Sequence, residues 1–207
     1  MRWLFVALLL SQSAPLRAQD LPPAYPRPGA TRMLENDRVI VWNIAWLQQE
    51  YPFHRHVYDH VGVYYAPGDR VITSLEGERR PVSTPAWNIS FQLRGVTHAE
   101  AGSSEDPLRA VFVQIKQEPR DPEEATGGAP PFPTAGPVQR LDNDRVTVWQ
   151  YDSTSAPDGA RHRHAHDAVV VSFDATLRPE VRYLERGTVH ETDVAAGAGR
   201  TFVFEIK

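Results

Sequence analysis

The stretch Phe53-His54-Arg55-His56-Val57-Tyr58-Asp59-His60-Val61-Gly62-Val63 sets three histidines at positions i, i+2 and i+6. Side chains alternate faces along an extended strand, so this spacing predicts one strand with all three imidazoles on the same face. The other face carries Val57, Val61, Val63 and Tyr65, interrupted by Asp59. A second version, His162-Arg163-His164-Ala165-His166-Asp167-Ala168-Val169-Val170-Val171, follows 108 residues later, with Ala165, Val169, Val171 and Phe173 opposite its histidines. A strand that is apolar opposite its histidines reads as covered on both sides. The two copies are therefore expected to pack together, or the protein to form a homodimer.

Working outward, the repeat extends well beyond the histidines. Leu34-Glu35-Asn36-Asp37-Arg38-Val39-Ile40-Val41-Trp42 returns as Leu141-Asp142-Asn143-Asp144-Arg145-Val146-Thr147-Val148-Trp149, at an offset of 107. Such self-similarity means two copies of one structural unit. Asn-Asp is a turn signal, and Val39 with Val41, like Val146 with Val148, alternates as strand residues do. Trp42 and Trp149 recur with the unit and read as core. Short runs rich in β-formers follow, among them Arg70-Val71-Ile72-Thr73 and Asn88-Ile89-Ser90-Phe91-Gln92-Leu93, punctuated by Gly and Pro. Both copies close on Ile-Lys, at Ile115-Lys116 and Ile206-Lys207. Many short strands without a long helical period predict an all-β chain of two barrels or sandwiches. Residues 118–137 hold six prolines and three glycines and read as a linker. The expected order is a Pro-rich lead-in at 19–33, a first unit at 34–117, the linker, and a shorter second unit at 138–207.

Ahead of the lead-in, Arg2 and the apolar run Trp3-Leu4-Phe5-Val6-Ala7-Leu8-Leu9-Leu10 give way to a Ser/Pro/Ala-rich exit, the pattern of a signal peptide at 1–18 cleaved after Ala18. Eight apolar residues fall far short of the roughly 20 that span a bilayer. The mature chain is thus expected to be periplasmic or secreted, without stable membrane insertion. Of the 207 residues, 41% are apolar and 10% aromatic, enough for a core, and none is cysteine. The absence of cysteine excludes disulfides, thiolate metal sites and cysteine nucleophiles. A formal charge of −4 gives a nucleic-acid partner no support.

All eight histidines fall in the repeated pattern: His54, His56, His60 and His98 in the first unit, His162, His164, His166 and His190 in the second. Neutral imidazole is the commonest ligand for transition ions. Two imidazoles at i, i+2 converge on one point, a third at i+6 joins them, and a fourth from a later strand closes the set. His54, His56, His60 and His98 are therefore the predicted ligands of one divalent transition metal (Fe, Mn, Zn, Ni or Cu). Alternatively, the same residues line a polar groove or a subunit contact. The second set is the weaker site, because Ala168 stands at i+6 and His166 comes two residues early. Tyr58 and Tyr64 share the histidine face and read as pocket lining or as ordinary barrel filling. Asp59 and Asp167 face away by parity and read as ion-pair or turn residues. Glu100 either orients a ligand or is solvated at a loop.

The first copy, with His54-x-His56-x3-His60, then Gly95-Val96-Thr97-His98-Ala99-Glu100 and a strand ending Ile115-Lys116, resembles a small bacterial cupin. The resemblance covers residues 34–116 and again 140–207. It implies two cupin-type β-barrels (double-stranded β-helix, jelly roll) in tandem. By its implication His54, His56 and His98 are metal ligands, and His60 stands where the family usually has glutamate. An all-imidazole site is less anionic than usual, which would shift metal preference, and cupins with three-histidine iron sites act as dioxygenases. The second copy is shorter, with 26 positions from His164 to His190 against 42 from His56 to His98. Either a hairpin is missing and His190 answers to His98, or the second motif is missing and His190 lies on an earlier strand. Deleting a hairpin exposes edges and core, so the second is the expectation, and with it a structural or dimerisation role for a degenerate second copy. The functional expectation is an exported bicupin whose first barrel holds the metal and binds or transforms a small organic molecule, in dioxygenase- or isomerase-like chemistry. The alternative is a non-catalytic binding or structural module.

Overall fold

The computed structural model describes residues 20–123, 129–134, 136–152, 161–191 and 199–207. The leader expected at 1–18 lies outside these residues. Each unit starts from its Asn-Asp-Arg turn. Asn36 Oδ1 accepts the backbone N–H groups of Arg38 and Val39, both at 2.9 Å, and Asn143 Oδ1 accepts those of Arg145 and Val146 at 2.8 and 3.0 Å. A short amide that bonds the backbone just downstream is an Asx turn. Here it folds β1 (Ala30–Glu35) onto β2 (Val39–Trp46), and β10 (Val138–Asp142) onto β11 (Val146–Asp152). The repeated terminal lysines finish the same corner: Lys116 Nζ donates to Asn36 O (2.8 Å) and Lys207 Nζ to Asn143 O (2.7 Å).

The first unit continues through β3 (Glu50–Arg55), β4 (Asp59–Ala66), β5 (Gly68–Thr73), β6 (Arg79–Thr84), β7 (Asn88–Gln92), β8 (Thr97–Gly102) and β9 (Leu108–Ile115). Its strands form one sheet of order β1-β2-β9-β4-β7 and a second of order β3-β8-β5-β6, the two layers of a jelly-roll barrel. The second unit has β12 (His162–Arg163), β13 (Asp167–Phe173), β14 (Pro179–Leu184), β15 (Val189–His190) and β16 (Arg200–Ile206). Its large sheet runs β10-β11-β16-β13-β14, strand for strand the counterpart of the first, and its small sheet is the pair β12-β15. Among the described residues nothing answers to the β5–β6 hairpin.

The two five-stranded sheets pack face to face. Val41, Val61, Val63 and Val113 of one share a single buried cluster with Val148, Val169, Val171 and Phe204 of the other. Tyr65 meets Phe173 across this seam with ring centroids 5.1 Å apart. β4 and β13 are therefore covered on both sides, one face toward the other unit and one toward their own barrel interior. The repeated turn arginines cross the seam reciprocally. Arg38 Nε donates to Asp167 Oδ2 at 2.7 Å, and Arg145 Nε lies 2.7 Å from Asp59 Oδ2. Asp59 and Asp167 thus hold ion pairs at the seam.

Residues 129–134, expected within a linker, form part of the second barrel. Pro131 bridges Arg163 in parallel as Pro23 bridges Arg55. Phe132 N donates to Arg163 O (2.9 Å) just as Ala24 N donates to Arg55 O (3.1 Å). Each barrel thus has the same proline-rich strap along its first histidine strand.

Candidate metal centre

The histidine run is two strands rather than one. β3 ends at Arg55 and β4 begins at Asp59, in different sheets, because the chain crosses between layers here to close the barrel. His56 sits in the crossing, its N–H donating to Val96 O (2.9 Å) and its carbonyl accepting from Gly95 N (2.7 Å). His54 on β3 pairs in register with His98 on β8. The ring nitrogens of His54, His56 and His98 come within 4.8 Å of one another, all three residues being buried. His60, on β4, is outside this group. Its ring stacks on His56 (4.6 Å between centroids) and lies against Phe112 (4.9 Å).

The donor set suits a divalent transition ion. Metal–imidazole bonds of about 2.0–2.1 Å put tetrahedral ligand nitrogens roughly 3.4 Å apart. His56 Nε2 and His98 Nε2 are 3.4 Å apart. His54 Nδ1 lies 3.0 Å from Pro52 O, and donation there leaves Nε2 as a bare lone pair, buried and without a hydrogen-bond partner. Burial also keeps the rings neutral, as ligands must be. It pushes the pKa of His98 and His60 down to about 4 and that of His56 to about 2, with neighbouring histidines adding to the shift; His54 is lowered by the same cause.

Behind the triad the interior is charged. Glu100, two residues past His98 on β8, is buried rather than solvated at a loop. Its Oε2 accepts from Arg27 Nη1 (2.7 Å) and Trp46 Nε1 (2.9 Å), and its Oε1 lies 3.7 Å from both Arg70 Nη1 and His98 Nε2. Burial alone would raise the Glu100 pKa, but the Arg27 and Arg70 guanidiniums outweigh it and hold the carboxyl well below its usual range. Arg27 comes from the strap and lies over the Tyr51 ring at 4.1 Å. A cavity of about 370 Å³ opens beside the triad, with Ile72, Arg80, Gln92 and His98 in its wall. Neither Tyr58 nor Tyr64 lines it. Tyr58 is half-buried between β3 and β4, and Tyr64 is buried against Trp46 and Phe112.

The second barrel also assembles a triad, of His162, His164 and His190. β12 pairs with β15 so that His162 faces His190, the register of His54 and His98. His190 is therefore the counterpart of His98, and the expectation that it lies on an earlier strand is corrected. The hairpin is what the second copy lacks; inside that barrel Phe132, Tyr151, Ala168, Val170 and Val203 pack into an apolar cluster that keeps the core closed without it. His166 is half-buried and outside the triad, since the chain is crossing between sheets at that point. Two neighbours of this triad were not foreseen. Glu205 Oε1 lies 3.1 Å from His164 Nδ1, and the Phe132 ring of the strap packs at a tilt against the His164 ring with centroids 4.3 Å apart. Phe132 was legible in the matching strap prolines. Glu205 was not, because its counterpart in the repeat is Gln114.

No protein-family model matches the sequence, and no curated protein does. Among solved structures the chain is similar to a cupin domain from Bordetella pertussis Tohama I, 27% identical over 45% of this chain and 100% of that one, with a TM-score of 0.40. It is similar to AerE from Microcystis aeruginosa at 12% identity, covering 87% of this chain and 98% of that one, with a TM-score of 0.48. A cupin 2 conserved barrel domain protein from Leptotrichia buccalis is 11% identical over 86% of this chain and 88% of its own, with a TM-score of 0.47. Jelly-roll strand order, a His-x-His entry to the barrel and a histidine facing it from β8 give this chain a cupin-like jelly-roll fold.

Proposed function

We propose that this is an exported bicupin whose first barrel holds one divalent transition metal on His54, His56 and His98, with His60 adjoining, and takes a small organic molecule at that centre. The observation that carries the reading is the buried triad itself: three neutral imidazoles converging, His54 with its Nε2 and His56 with its Nδ1 buried and without a hydrogen-bond partner, beside a cavity of about 370 Å³. When bound, the ion supplies a Lewis acid to an oxygen of the molecule. The chain's own part is positional. Pro52 O fixes the tautomer of His54, and the pairing of β3 with β8 fixes the spacing to His98. Glu100, held by two guanidiniums, balances positive charge behind His98.

Elemental analysis of the purified protein beside His56→Ala tests the proposal. Wild type is expected to carry close to one more equivalent of a transition metal than the variant. Equal metal content under supplementation with each of Fe, Mn, Zn, Ni and Cu would sink it.

A further inference from the structure

The cavity beside the first triad exists because of the β5–β6 hairpin, and the hairpin brings cationic side chains with it. Arg70 and Ile72 alternate on β5, and Ile72 pairs with Arg80 on β6 and with Glu100 on β8, so these residues share the inward face of the small sheet. Deepest are Arg27 and Arg70, two guanidiniums against the single Glu100 carboxylate. Arg27 Nε and Nη2 and Arg70 Nε are buried with no hydrogen-bond partner. Nearer solvent, Arg80 lines the cavity with His98 and makes no ion pair among the described residues. Gln92 Nε2 lines the same cavity, buried and without an acceptor. One carboxylate, Glu78, stands in this wall and is exposed. A buried amide donor is costly until an acceptor meets it, and the net positive charge deeper in the barrel favours an acceptor that is itself anionic.

We infer that the molecule taken by the first barrel is a small organic carboxylate, its carboxylate group held by Arg80 and Gln92 while another of its oxygens faces the histidine triad. This rests on the proposed function for the position of the ion. A planar carboxylate matches one guanidinium fork plus one amide donor. A phosphate, with three charged oxygens, is normally met by several cations or a cluster of backbone N–H groups. Arg27 and Arg70 sit behind the triad and supply a favourable field without touching the ligand. The second barrel carries no such machinery among its described residues. It has no hairpin, and Leu184 stands where the first barrel has Gln92.

Calorimetric titration of the full chain with succinate and glutarate, beside succinamide and inorganic phosphate, tests the inference. The dicarboxylates are expected to bind at least tenfold more tightly than the diamide. Arg80→Gln, at an exposed position, should abolish that preference with the metal content unchanged, and Arg80→Lys should restore part of it. Gln92→Leu, which installs the second barrel's residue, should weaken dicarboxylate binding severalfold. Diamide binding as tight as succinate, tighter binding of phosphate, or an undiminished preference in Arg80→Gln would overturn the inference. Loss of the metal reading shows separately, as wild-type protein with no more metal than His56→Ala.

Discussion

In the first barrel His60 faces Gln92 across β4 and β7, whereas the second barrel has Ala168 facing Leu184. Gly62 lies opposite Phe112 in the first, and Val170 opposite Val203 in the second. Glu100 sits in a cage of two arginines; Glu205 instead touches the triad directly through His164. One strand plan thus supports two interiors. The first is polar and charged around an open cavity, and the second is closed by Phe132, Tyr151, Ala168, Val170 and Val203. The difference teaches that the triad is a property of the scaffold, since the β3–β8 register delivers it in both barrels. What the triad can meet is decided by the hairpin and by a few inward side chains.

The seam is where the barrels are most alike, and breaking it should have the largest effect. Arg38 and Asp167 are both buried, and their contact is an aligned hydrogen bond; Arg145 Nε approaches Asp59 as closely without that alignment. Arg145 is also near Glu118 Oε2, at 3.4 Å, which can take over part of the pairing. Removing one partner of a buried pair strands the other, at a cost of about 3 to 5 kcal/mol. Asp167→Ala is expected to lose an amount in that range in urea unfolding, and Asp59→Ala visibly less. Equal losses would show that the two crossings are energetically symmetric after all.

Replacing His60 with the alanine found in the second barrel should flatten the acid dependence of stability. Burial lowers the His60 pKa from 6.5 to about 4, so the unfolded chain takes up its proton first as pH falls. Its contribution is complete above the unfolded value and is lost between about 6.5 and 4, amounting to roughly 3 kcal/mol at 1.36 kcal/mol per unit. In chelator-treated protein, His60→Ala should lose less stability than wild type between pH 7 and pH 4. An unchanged slope would mean that His60 does not titrate in this window.

A steric swap tests whether the interiors trade volume position by position. A Cβ added at Gly62 would meet Phe112 Cδ1 at 1.7 Å, so Gly62→Val cannot be accommodated without displacing that ring. Overpacking of this kind typically costs about 1 to 3 kcal/mol. Gly62→Val with Phe112→Val reproduces the second barrel's pair and should recover part of the loss. Thermal unfolding reads both variants. A double variant less stable than Gly62→Val alone would show that Phe112 is needed where it stands, against His60, Trp46 and Tyr64.

Much of this contrast is written in the sequence, though unevenly. The Asn-Asp-Arg repeat, the alternating valines and the Ile-Lys closes mark the strands and their doubling, because turn chemistry and strand alternation are local. Local pattern fails where the chain changes sheets. Nothing in His54 to His60 distinguishes one continuous strand from two joined by a crossing, and so His60 was grouped with the ligands. The charged cage was hidden for a related reason. Arg27, Arg70 and Glu100 lie far apart in sequence and meet only through the strap, the hairpin and β8. The shorter second copy was visible as a length, but whether a hairpin or a motif was missing depends on pairing register. The apolar cluster that closes the second barrel without a hairpin draws Phe132, Tyr151, Ala168 and Val203 from distant stretches and is a tertiary feature.

The smallest predicted difference concerns the two repeated tryptophans. Trp42 Nε1 donates to the neutral Gln114 Oε1 at 2.8 Å, and Trp149 Nε1 donates to the Glu205 carboxylate at 2.9 Å. Phenylalanine at either position keeps most of the ring and deletes one donor. At Trp42 the loss is a neutral bond to a buried amide, worth about 1 kcal/mol, with little consequence elsewhere. At Trp149 the bond is charge-assisted and the same carboxylate steers His164, so the cost is expected at about 1.5 kcal/mol or more. Trp149→Phe should also change the imidazole resonances of His164 in NMR spectra, while Trp42→Phe leaves those of His54, His56 and His98 in place. If both variants disturbed their triads alike, Gln114 would be coupled to the first triad as Glu205 is to the second, and the two interiors would be more similar than their side chains indicate.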